Sequence, residues 1–158
     1  MIASGAVGDL LAITARLIAC IEREIALLRA MRPQEMQALQ IDKAALADAY
    51  EAHLRVLRQG ESAETAISEP LRRELAEATE RFQTVLAENA RALRAVKEVN
   101  ERVLEAIVAA ADEERGRPVG YTASGAAPGG RAATPVSLAV NQRLYRRSRA
   151  IAPDGPYQ

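Results

Sequence analysis

From about Val7 to Gln59 the apolar residues return every three or four positions: Leu10, Thr14, Leu17, Ile21, Ile25 and Leu28, then Met36, Leu39, Leu46, Tyr50, Leu54 and Leu57. With 3.6 residues per turn, that spacing lines one side of an α-helix. The stripe falters at Arg32-Pro33, where proline removes a backbone donor and crowds the preceding turn, so a kink or short break is expected there. Gly60 reads as a helix stop.

A second stripe is longer and more regular. Ser68-Glu69-Pro70 opens it with a hydroxyl suited to capping and a proline in the first turn, where its missing N–H costs nothing. Leu71, Leu75, Ala78, Phe82, Val85, Asn89, Leu93, Val96, Asn100, Val103, Ile107 and Ala110 then follow at alternating steps of three and four. This near-heptad seam predicts an uninterrupted helix of roughly 60–70 Å. Two long helices and a short link make an all-α fold, an antiparallel, coiled-coil-like helical hairpin over residues 1–115.

At Gly116 the texture changes. The 43 residues from there hold six of the nine glycines and five of the seven prolines, which is linker chemistry. Residues 116–158 are therefore expected to form a flexible interaction tail with one short helix in Thr134–Tyr145. That segment keeps Val136, Leu138, Val140, Leu144 and Tyr145, and a short helix with such a face usually needs a surface to dock on.

Composition and charge sharpen this picture. Apolar residues make up 49% of the chain but aromatics only 3%, as in long helices. The formal charge is zero, yet the tail carries six arginines and one acid, leaving the body at −5. A basic tail suits an acidic partner or simply keeps an exposed segment soluble. Nucleic acid is an alternative partner through Arg143, Arg146, Arg147 and Arg149 around Tyr145, but the acidic body argues against it. The apolar stretch from Val7 to Ile21 is broken by Asp9 and Arg16, so neither a signal peptide nor a membrane span is expected, and the reading is a soluble cytoplasmic protein.

No catalytic, cofactor-binding or metal-binding residues are expected. His53 stands alone, Cys20 is the single cysteine, Asp112-Glu113-Glu114 reads as a solvated helix end, and no phosphate-cradling loop follows a strand. Asn89 and Asn100 occupy seam positions eleven residues apart on nearly the same side of the second helix. They fit polar residues that fix the alignment of neighbouring helices, or alternatively polar contacts to a bound helix.

Several of these features resemble, in order, the FlgN-type flagellar export chaperones. The likeness is carried by a leucine-rich first helix with Glu22 and Glu24, by Leu39 and the Lys43–Leu46 step into Tyr50 and Leu54, and by Asn100 and Leu104 on the second helix. Tyr121 and Gly125 beyond that helix, and the segment Ser137–Leu144, complete it. The resemblance implies an ATP-independent cytoplasmic chaperone, monomeric or homodimeric, that covers the terminal helices of hook-associated (hook–filament junction) proteins and delivers them to export-gate components. It further implies partner contacts from Tyr121, Gly125, Val136, Leu138, Val140, Asn141, Leu144 and Tyr145. The rival is a structural coiled coil whose tail is only a solvated extension.

Overall fold

The computed structural model describes residues 2–61, 67–115, 130–153 and 155, and every regular element among them is helical. Helix α1 is Ile2–Arg29, α2 is Met36–Glu61, α3 is Glu69–Glu114 and α4 is Gly130–Ser148. The all-α class is as expected, but the arrangement is a four-helix bundle rather than a hairpin with a free tail.

The first difference lies at Arg32-Pro33. The chain does not kink there but reverses, so that α1 and α2 pack side by side along their lengths. The end of α1 explains the reversal. Arg32 N–H donates to the Leu27 carbonyl at 2.9 Å and Met31 N–H to the Leu28 carbonyl at 3.1 Å, with Met31 left-handed at φ 56°. This is the Schellman arrangement, which closes a helix by satisfying its last carbonyls and turns the chain aside. Pro33 then opens a single 3-10 turn, Pro33–Glu35, leading directly into α2.

The second difference is α4. It packs against both α2 and α3, while α1 packs against α2 and α3. Around the bundle the order is thus α1, α2, α4, α3; α1 and α3 run one way, and α2 and α4 the other. The described segment of residues 130–153 is part of the folded body, where the sequence suggested an interaction tail divided from it at residue 115.

Two apolar clusters make the core. The larger joins Leu10, Leu17, Ile21, Tyr50, Leu54, Phe82, Leu86 and Leu144. The smaller, near the α1–α2 reversal, joins Leu28, Met36, Leu93 and Val96, flanked by Leu138. Ser4–Arg29 has the length and mean hydropathy, 1.6, of a membrane-crossing helix, and in this fold its apolar stripe faces the core. Gly60 lies inside the last turn of α2, and the Ser68 hydroxyl makes no capping bond, although Ser68 does precede α3 and its carbonyl accepts from Arg72 N–H at 2.9 Å.

Helix α3 outruns its neighbours. From Lys97 to Arg115 every residue is exposed, a projection of about 28 Å at 1.5 Å per residue.

Candidate functional site

Between the two apolar clusters lies a polar layer supplied by all four helices. Glu24 of α1 and Lys43 of α2 form an ion pair at 3.2 Å with side chains 0% and 1% exposed. The Lys43 ammonium also donates to Asn89 Oδ1 of α3 at 3.0 Å and to Ser137 Oγ of α4 at 2.7 Å. Asn89 donates back to Glu24 Oε1 at 3.2 Å, and the Ser137 hydroxyl donates to the same oxygen. Asn141 of α4 donates to Asn89 Oδ1, and its own Oδ1 finds no partner among the described residues.

The layer is one positive and one negative charge held by hydrogen bonds from all four helices. Burial pulls the Lys43 ammonium below the usual lysine range, and the neighbouring Glu24 carboxylate opposes that pull. A buried pair of this kind contributes little net stability, because desolvation offsets attraction, but it strongly penalises any arrangement that separates the partners. Its chemical capacity is therefore alignment. Among the described residues no group of acids, histidines and cysteines could hold a metal ion.

A second polar contact pins the far end of α4. Gln83 Nε2 donates to Ser148 Oγ at 3.0 Å and to the Ala152 carbonyl at 2.8 Å, and Tyr145 OH donates to the Gly155 carbonyl at 3.1 Å. A Cβ at position 155 would stand 2.1 Å from Gln83 Oε1 and 3.0 Å from the Tyr145 ring, so a side chain there would have to displace the Gln83 amide.

The expected partner-binding residues divide by position. Leu144 and Asn141 are fully buried, Leu138, Val140 and Tyr145 are half-buried against the body, and Val136 is exposed. Tyr121 and Gly125 lie outside the described residues. The two asparagines separate: Asn89 joins the buried layer, and Asn100 is exposed on the α3 projection. While α4 stays docked, Leu144 and Asn141 contact their own chain and not a partner. The basic residues are partly engaged as well, since Arg143 pairs with Asp48 at 3.1 Å and Glu51 at 3.0 Å, and Arg147 approaches Glu51 at 3.8 Å. The opposite charges of body and tail meet each other here.

Sequence reasoning passed over the Glu24–Lys43 pair. Its signal was present: both charges fall within the apolar stripes, Glu24 beside Ile21, Ile25 and Leu28, and Lys43 between Met36 and Ala47. It also passed over the surface that remains open. Of the nine large apolar side chains exposed in the described residues, five crowd into ten positions of α3: Val99, Val103, Leu104, Ile107 and Val108. They form a continuous face, beginning where Val96 leaves the smaller core cluster.

Comparison with known proteins gives no matching family model, no matching curated protein and no matching solved structure.

Proposed function

We propose that this protein is a non-enzymatic, helix-binding chaperone of the kind the FlgN resemblance implies. In this reading it acts in the cytoplasm, covering an amphipathic helix of a hook–filament junction protein until the client is exported. The observation that carries the reading is the uncovered apolar face of α3 from Val99 to Val108, with Ile107 59% and Val103 53% exposed. An apolar patch confined to one projecting helix marks an interaction surface. A client helix laid along it would bury its own apolar anchors at helical spacing.

The face is a ridge and not a pocket, so a client would be held reversibly, as delivery requires. The arrangement also moves the capture surface. Leu144 and Asn141 are committed to the bundle, so α3 takes the role that the resemblance gave to the C-terminal segment. The stabilising contacts of α4 then serve to hold the platform from which α3 projects.

Calorimetric titration with purified hook–filament junction proteins tests the proposal. Val103→Glu and Ile107→Glu are each expected to weaken binding about tenfold or more, the scale for a lost apolar anchor. Unchanged binding in both variants, together with loss on substitution of the exposed α4 residue Val136→Glu, would return the site to α4. Absence of binding to every such protein would remove the client assignment.

A further inference from the structure

We infer that α4 is a latch: it opens as a unit from a body of α1, α2 and α3 that stays folded, and the apolar surface beneath it is uncovered only then. The inference does not rest on the chaperone reading, since it concerns how α4 is held and not what the protein binds.

The buried face of α4 is the starting point. Ser137, Asn141, Leu144 and Ser148 are buried, and Leu144 alone among them is a large apolar side chain. The corresponding face of α1 carries Leu10, Leu17, Ile18, Ile21, Ile25 and Leu28. Hydrophobic stabilisation scales with the apolar area removed from water, so α4 is held more weakly than α1. Leu138, Val140 and Tyr145 add only part of their surface to the core.

The rest of the hold is polar. Arg143 pairs with Asp48 and Glu51 at the surface, where the Arg143 and Asp48 side chains are 43% and 75% exposed, so this attraction is weak and screened by salt. Ser137, Asn141 and Ser148 hydrogen-bond to the other three helices, and the Ala152 carbonyl just beyond α4 accepts from Gln83. Water can take those places at little net cost. One group gains by opening: Asn141 Oδ1 is buried without a partner among the described residues, and it meets water once α4 departs.

The body loses little. With α4 away, Lys43 keeps Glu24 and Asn89 Oδ1 as acceptors, and Glu24 keeps Lys43 and Asn89 as donors. No buried charge is stripped of its counter-ion, which is the costly event in a layer of this kind. Helix α1 remains packed on α2 and α3. Elements with few buried apolar contacts open separately from the core in this way. The surface uncovered is the side of the larger apolar cluster that Leu144 fills.

Native-state hydrogen exchange of the full chain in dilute urea, read by mass spectrometry, is the test. Relative to their intrinsic rates, amides of residues 137–148 are expected to exchange at least about tenfold faster than those of residues 17–28. Their urea slope should be smaller, because opening α4 exposes less surface than unfolding the bundle. Salt should accelerate them by weakening the Arg143 pairs. Ile21→Val, a small cut in the α1 core, should raise exchange in α1 about two- to tenfold and leave α4 unchanged, because the core around Ile21 stays packed when α4 opens. Equal protection of α4 and α1 with a common urea slope, or an α4 rate that rises with Ile21→Val by the same factor as that of α1, would show a single cooperative unit and overturn the proposal.

Discussion

The Tyr50 hydroxyl is buried without a hydrogen-bond partner among the described residues, while its ring lies tilted against Phe82 with centroids 5.4 Å apart. Burial pushes the phenol above the usual tyrosine range, and the Arg58 charge only partly opposes it. The folded state therefore keeps this proton when the unfolded chain begins to lose it near pH 10. The sign follows from linkage: the contribution of Tyr50 is intact below that pH and is lost as pH rises beyond it. Tyr50→Phe keeps the ring and removes the unpaired oxygen, so it should raise stability at neutral pH by about 1 kcal/mol. Urea midpoints at neutral and strongly alkaline pH check both points, with the variant losing less than the parent on going alkaline. Equal losses in the two proteins would show that other groups control the alkaline limb. The Cys20 thiol is likewise raised by burial and, secondarily, by Glu24, and it donates to the Leu39 carbonyl at 3.5 Å, so it is a packing residue and a poor nucleophile.

At the scale of elements, α1, α2 and α3 could be read from the three- and four-residue recurrence of Leu, Ile and Val, and the break near Pro33 from the proline itself. The direction of the chain after that break could not, because it depends on Met31 taking a left-handed conformation that its residue type does not announce. Met31 is 60% exposed, so its side chain contributes little packing there. Met31→Gly should relieve the backbone strain and raise stability by about 0.5–1 kcal/mol; an unchanged or lower melting temperature would mean that the entropy glycine adds to the unfolded chain outweighs the relief. Helix α4 was harder to place for a different reason. Its buried face is Ser137, Asn141, Leu144 and Ser148, spaced 4, 3 and 4, so the repeat is regular but mostly polar; apolar periodicity picks out Leu138, Leu144 and Tyr145 and leaves Ser137 and Ser148 unmarked. The surrounding glycines and prolines reinforced the impression of a linker. The open face of α3 belonged to the same seam as the core positions before it, and the sequence does not reveal where along a continuous seam the neighbouring helices stop.

For the whole molecule, the polar layer ties four helices to one alignment. Lys43→Met should destabilise the fold by about 3–5 kcal/mol, because it leaves the Glu24 carboxylate buried without its counter-ion. Glu24→Leu should do likewise, and the double substitution should cost clearly less than the two single losses added together. Additive losses in the chemical denaturation curves would mean that the two side chains act independently. The same layer separates the two apolar clusters, and apart from the Tyr50–Phe82 contact each cluster is made of aliphatic residues that several helix placements would satisfy. Leucine, isoleucine and methionine around it can drift with modest effect over generations, whereas Glu24, Lys43, Asn89, Ser137 and Asn141 form a lock whose parts must be replaced together, so any lineage carrying this bundle is expected to keep or exchange them as a set.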